Sequence, residues 1–403
     1  MGLTPPAVRC RFEFSDRLDF DPVLADLAAR GPVTRIRLPY GSGEAWLVTT
    51  FDAVRQVTTD HRFSRAAVVG RDYPRMTPEP IVSPESVNVM DPPASTRLRH
   101  AATQAFTKER VALMRPAIDR VVEGLLDEME EHGSPADLVT HLSDPLPQHI
   151  ICELLAVPPK DRNELLLLTR HLLVTTLDGR AAAARAKARL RSYFASLIAE
   201  RRRTPGDDVL TALATAPAED GTAPLSDDEL AVLAVTLILS GNDTATCQIS
   251  NLTYTLLTGP ASLLEAARRP ADLPRVIDEL LRFIPFRKGV GIPRVALEDV
   301  EVAGTLIPAG DYVHVSYLTA NRDPDVFPAP DSLDADRPRH AHMTFGWGGH
   351  HCVAAPLATA QLHSAVGGLL ARFPGLRPAV PADELRWDTR TIRRFPLALP
   401  LAW

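Results

Sequence analysis

Cysteine is scarce: four residues in 403, at positions 10, 152, 247 and 352, with no paired spacing. In a chain this long that excludes a disulfide framework and points to a reducing compartment. The stretch Met1 to Cys10 lacks the apolar core of a signal peptide, and no run approaches the ~20 apolar residues that span a bilayer. The expectation is a cytoplasmic protein without a membrane segment. An excess of either charge is also lacking. Forty-four Lys and Arg stand against 50 Asp and Glu, a formal net charge of −6, so nothing draws the whole molecule to nucleic acid. No internal repeat and no linker-like tract divides the chain, and one domain over residues 1–403 is expected.

Proline, at 36 residues, is abundant and cuts the chain into short elements. Val33 to Leu38 and Ala45 to Thr50 read as strands around a Gly41-Ser42-Gly43 turn. Residues 64 to 90 read as a long loop, after which Asp91-Pro92-Pro93 opens a helix with Asp91 as its cap. From there to about residue 285 the chain is mostly helical. Ser226 to Thr258 is the clearest helix, opened by the capping box Ser226-Asp-Asp-Glu229 and stopped at Gly259-Pro260. Its residues 230 to 239 are apolar all round except Thr236, so it crosses the interior. A short helix from Leu273 to Phe283, strands near 299–303 and 312–317, and a last helix from Ala355 to Arg372 complete a helix-rich chain with a minor sheet.

Two places interrupt this pattern. Residues 345 to 352, Phe-Gly-Trp-Gly-Gly-His-His-Cys, hold three glycines in eight positions and deliver Cys352 to a helix N-terminus. There the helix dipole and free N–H groups favour a thiolate. Three readings are open: a buried structural cysteine, a zinc site with His340, His342, His350 and His351, or a thiolate ligand to haem iron. The second place is the polar run Ser240-Gly241-Asn242-Asp243-Thr244 inside the buried helix. It is either a satisfied polar patch at a helix crossing, or a kink at Gly241 that admits a ligand beside a proton relay.

The string from Phe345 to Cys352 resembles the haem-binding signature of the cytochrome P450 superfamily, in its soluble bacterial branch. Asp91 to Arg99, Glu279-Leu-Leu-Arg282, Asn321 to Pro328 and Asp334 to Arg337 resemble further motifs of that family, in the same order. The resemblance covers nearly the whole chain. It implies a mainly α fold with a minor β-sheet region and haem b buried between a long central helix and the cysteine-loop helix. Cys352 would be the iron ligand, with Phe345, Gly346, His350, Arg99 and Arg294 around the cofactor. Asp243 and Thr244 would be the acid–alcohol pair that supplies protons when O2 is activated. Glu279, Arg282 and Arg337 would brace the cysteine loop. Substrate contacts would come from Val89, Met90, Leu237, Ser240, Gly241, Val290, Ile292 and Phe395, with helices around 165 to 180. Arg287 and Lys288 could touch a polar substrate or be simply solvated.

The chain departs from the family at Ser95, where a histidine is usual, at Ala354, where glycine is usual, and at Thr359 and Gln361, which stand for Arg and Glu. The expected activity is O2-dependent monooxygenation of a small organic molecule in secondary metabolism, by a monomer. Electrons would come from NAD(P)H through a ferredoxin reductase and a ferredoxin docking on Arg97, His100, Lys108 and Arg110. The alternatives are oxidative C–C or C–O coupling of a natural-product precursor, and a haem-binding sensor or carrier.

Overall fold

The computed structural model describes residues 7–10, 16–77, 85–172, 180–215, 224–338, 340–389 and 391–403. The long helix forms as Asp227–Thr258, 32 residues and about 48 Å. Ser226 Oγ accepts from Glu229 N at 3.2 Å, and Glu229 Oε2 accepts from Ser226 N at 2.9 Å, which is the reciprocal capping box. Its first-turn acids are each met by an arginine from elsewhere: Arg202 on Asp227, Arg191 on Asp228 and Arg97 on Glu229. Among the described residues it is the one helix long and apolar enough to cross a membrane. That length lies inside the protein, packed by Arg180–Arg203, Pro145–Leu154 and Ala355–Arg372. At the far end Gly259 is extended rather than left-handed, and its missing Cβ matters because one would stand 2.6 Å from the Thr255 carbonyl oxygen.

A six-stranded sheet lies to one side. Its strands run Val8–Arg9, Val33–Arg37, Ala45–Val48, Tyr312–Val315, Arg294–Ala296 and Phe63–Ser64 in spatial order. Ala45–Val48 and Tyr312–Val315 pair in parallel, with Ala45 opposite Tyr312, and Arg294 pairs antiparallel with Val313. This register turns Arg294 inward, where its side chain is 2% exposed. A large apolar cluster fills the helical region and smaller clusters back the sheet.

One expected cap is different. The helix after the prolines runs Ala94–Ala105 with Pro93 at its N-cap and no side-chain cap bond. Asp91 points backward instead. Its carboxylate accepts from Ser64 Oγ, from Arg65 N at 3.0 Å and from Ala66 N at 3.3 Å, holding the turn that follows the Phe63–Ser64 strand. The cap signal was real but served the preceding element.

Candidate active site

The glycine loop is shaped by two residues in left-handed backbone, Gly346 at φ 78° and Gly348 at φ 66°. Gly348 presses on the Phe51–Thr59 helix so closely that a Cβ would stand 2.2 Å from the Thr58 carbonyl oxygen. Cys352 N donates to the Phe345 carbonyl at 2.8 Å and Gly346 N to Met343 at 2.8 Å, closing the loop on itself. The loop is braced from below. Glu279 takes Arg282 at 2.7 and 2.8 Å and Arg337 at 3.0 and 3.1 Å, all buried. Arg282 then donates to the Asn321 carbonyl at 3.0 Å. Asn321 holds Met343 N and Thr344 Oγ1, the two residues before Phe345.

Burial pushes the Cys352 thiol up, while the Ala354 N–H and the Arg99 guanidinium pull it back down. The helix N-terminus therefore helps the thiolate without winning alone, and a bound cation would complete the deprotonation. Ala354, where glycine was expected, sits at φ −97°, a conformation open to alanine, and its amide is the one that meets the sulfur. Thr359 faces a surface hollow, but Gln361 is buried at 3%, so the second substitution is an interior one and not the loss of a surface salt bridge.

Around this loop stands a group of buried polar atoms. Among the described residues, Arg294 Nη1 and Nη2, His350 Nδ1, Arg65 Nε and Tyr317 Oη have no hydrogen-bond partner. Burial, then Arg65, Arg294 and Arg99, push the His350 imidazole far down from its ordinary value. Burial, then Arg294, likewise push Arg65 down to about 9. Buried polar atoms are rarely orphaned, so a cluster of them marks the place of a missing anionic partner. Two carboxylates of a haem would supply it, and the donor set fits that group. Arg99 Nη2 donates to the His351 carbonyl at 2.6 Å, next to the cysteine. Ser95 is buried and offers no cation, whereas Arg65, unmarked in its arginine-rich loop, does. Among the described residues no three His, Cys, Asp or Glu side chains converge as zinc ligands would.

The polar run of the central helix is unbroken helix. Gly241 lies at a helix crossing: a Cβ there would stand 3.0 Å from Ile151 Cδ1 of Pro145–Leu154. One face of that run, Ser240, Asp243 and Thr244, is open while Leu237 is buried. Asp243 Oδ2 accepts from Arg393 Nε at 2.6 Å, and Arg393 Nη2 lies 3.4 Å from Thr244 Oγ1. Sequence reasoning missed Arg393 and named Phe395, two residues on. Arg394 is buried and donates to the carbonyls of Asp19 and Arg17, and Phe395 follows half-buried. Arg287 and Lys288 separate cleanly. Lys288 Nζ is tied to the Thr389 carbonyl at 3.1 Å. Arg287 is half-buried over Gly291 with no acidic partner among the described residues, and burial followed by Arg393 pushes it down to about 10.

Other predicted contacts are mixed. Val89 is 1% exposed and Met90 packs at the edge of the large core. Arg65 Nη1 holds the Asn88 carbonyl beside them at 3.0 Å. Val290 packs in the N-terminal cluster with Leu24, Ile36 and Leu47, away from the helical core, and Ile292 is half-buried. Residues 173–179 of the expected lining lie outside the described residues. Arg97 bonds Glu229 and the Pro224 carbonyl. Lys108 and Arg110 are exposed, and Lys108 edges a hollow of about 890 Å³ beneath the cysteine loop, with Arg115, His351 and His363.

Three comparisons agree with this geometry. The family model described as cytochrome P450 matches residues 273–379. Biflaviolin synthase of Streptomyces coelicolor is 41% identical over 403 residues, 100% of this chain and 98% of its own. The mycinamicin IV hydroxylase/epoxidase of Micromonospora griseorubida is 40% identical over 382 residues, 94% of each. The crystal structure of cytochrome P450mel 107F1, described as having biaryl coupling reactivity, superposes with a TM-score of 0.95 at 56% identity, covering 99% of this chain and 100% of that one. The chain thus belongs to the cytochrome P450 family, as a haem-thiolate oxidoreductase of secondary metabolism.

Proposed function

We propose that Cys352 ligates the haem iron and that the enzyme joins two electron-rich hydroxylated aromatic molecules through a C–C or C–O bond. The observation that carries the substrate class is Arg287, a half-buried guanidinium with no acidic partner among the described residues, on backbone bridged antiparallel to a second arginine, Arg393. Two cations against the single carboxylate of Asp243 leave room for an acidic phenol, which would bring the missing charge. The 56% identity to a P450 with biaryl coupling reactivity supports the same reading.

When bound, the haem supplies the one-electron and O2 chemistry. The chain's own residues hold and aim. Arg65, Arg294, His350 and Tyr317 take the propionates, and Arg99 stiffens the carbonyl before the ligand. Arg287 orients a phenolate ring, and Asp243 with Thr244 passes protons inward from solvent. A second reading, transfer of one oxygen atom to a single substrate, is favoured by that intact acid–alcohol pair and by the hydroxylase relative. Residues 1–403 act as one catalytic unit, a cytoplasmic monomer fed from NAD(P)H by ferredoxin reductase and a ferredoxin. The four free cysteines support a reducing compartment, and the basic rim at Lys108 and Arg110 supports an acidic donor.

The test is product mass. With 1-naphthol, NADPH, and a surrogate ferredoxin and reductase, the expected product is a dimer lacking one hydrogen per ring. Arg287→Ala should raise the spectral Kd for 1-naphthol about tenfold, the equivalent of ~1.4 kcal/mol. A monomer carrying one added oxygen as the sole product would replace coupling with the second reading. The absence of a strongly red-shifted Soret band in the reduced, carbon monoxide-bound protein would overturn thiolate ligation.

A further inference from the structure

Asp243 and Thr244 are adjacent on one helix, so their side chains leave the axis roughly 100° apart. Adjacency does not make them share a water molecule. A third residue brings them together. Arg393 stands 150 positions later, on a segment whose backbone is fastened beside the Arg287 stretch. Lys288 N donates to the Ile392 carbonyl at 2.8 Å, and Arg394 N donates to the Phe286 carbonyl at 3.0 Å. From that fixed backbone one guanidinium reaches both partners: Asp243 Oδ2 at 2.6 Å and Thr244 Oγ1 at 3.4 Å. The carboxylate and the guanidinium side chains are 20% and 15% exposed, so the ion pair is shielded from bulk salt.

We propose that Arg393 is a positioning residue of the proton relay, setting the carboxylate and the hydroxyl in one arrangement. The proposal rests on the reading of Asp243 and Thr244 as that relay. A guanidinium has donors and no acceptor, so Arg393 carries no proton itself. It occupies Oδ2 and leaves Oδ1 of Asp243 to face water. It fills an acceptor site of the Thr244 oxygen and leaves the hydroxyl hydrogen free to donate inward. A proton taken from water at Oδ1 is handed on through water to Thr244. The threonine gives its own hydrogen forward and receives that one in return, so no net charge stays on the hydroxyl. Because Arg393 is fastened to the Arg287 segment, the relay is aligned from the substrate wall rather than from its own helix.

The experiment compares haem-loaded wild type, Arg393→Ala, Arg393→Lys and Thr244→Ala. Each is driven by NADPH and a surrogate ferredoxin system with 1-naphthol present. The readouts are the fraction of reducing equivalents lost as hydrogen peroxide, the solvent deuterium isotope effect, the ferric spin-state titration and the melting temperature. Arg393→Ala should raise the peroxide fraction about fivefold and alter the isotope effect. Lysine can pair with Asp243 but cannot span both partners. Arg393→Lys should therefore recover the melting temperature and the spin-state response while still leaking peroxide. Wild-type coupling in either Arg393 variant, beside a leaky Thr244→Ala, overturns the positioning role and spares the relay. Tight coupling in Thr244→Ala overturns the relay itself. If Arg393→Ala fails to fold, the lysine variant decides alone: peroxide leakage supports alignment, and wild-type coupling refutes it.

Discussion

His314 shows how one buried side chain sets a condition on the whole. Its ring is fully buried, with Nδ1 3.0 Å from the Gly291 carbonyl and Nε2 3.1 Å from the Pro74 carbonyl. A neutral imidazole donates to only one of them. The two carbonyls favour the charged ring, but burial is larger and Arg294 and Arg287 oppose it as well, so the pKa falls from 6.5 to about 4. A depressed pKa means that the unfolded chain binds the proton more readily than the folded one. The stabilisation is therefore complete above pH 6.5 and is lost as the pH falls from 6.5 to about 4. His314→Gln should be less stable at pH 7 yet lose less stability between pH 7 and pH 5 than wild type. The difference is on the order of 1–2 kcal/mol in denaturant unfolding. Parallel losses in the two proteins would refute this. The same scale shows what the sequence disclosed. Cys352, Asp243 and Glu279 carried motif spacing. Arg65, Arg287 and Arg393 did not, because a lone cation in a loop reads alike whether it turns outward or inward, and Tyr317 opens the short helix Tyr317–Ala320 outside any motif. Lys288 and Arg287 are neighbours with opposite fates.

At the scale of elements, patterns that close within a few residues were legible. The capping box at Ser226, the helix Leu273–Phe283 and the helix Ala355–Arg372 fall where propensity and caps put them. The misreadings arose where a signal had two possible clients. Asp91 serves the preceding turn instead of the following helix, and Gly241 meets the crossing helix Pro145–Leu154. Both depend on tertiary neighbours that local pattern does not encode. The cysteine loop is the counterpart, since Gly348 combines left-handed backbone with a contact too close for any Cβ. Gly348→Ala forces a left-handed backbone on alanine and a methyl into the Thr58 carbonyl. The variant should lose the thiolate-type carbon monoxide spectrum or release haem readily, while helix content by circular dichroism stays near wild type. A normal spectrum would mean that the loop and the Phe51–Thr59 helix separate freely.

For the whole molecule, the distribution of charge matters more than its sum of −6. Acids concentrate at the start of the central helix, where arginines answer them, and the rim of the hollow under the cysteine loop is basic at Lys108. Lys108→Glu should slow reduction by a ferredoxin several-fold at low ionic strength and lose that defect at high salt. A rate unchanged at every salt concentration would move the docking face elsewhere. Inside, the imbalance runs the other way: Arg65, Arg294 and Arg99 crowd the neutral His350 ring, and among the described residues no acid forms an ion pair with them. Such a knot of like charge strains the polypeptide whenever it is empty. The prosthetic group then acts as a folding ligand as well as a reagent, by mass action on the native state. Protein stripped of the porphyrin should accordingly melt at a lower temperature than loaded protein and be cut faster by protease.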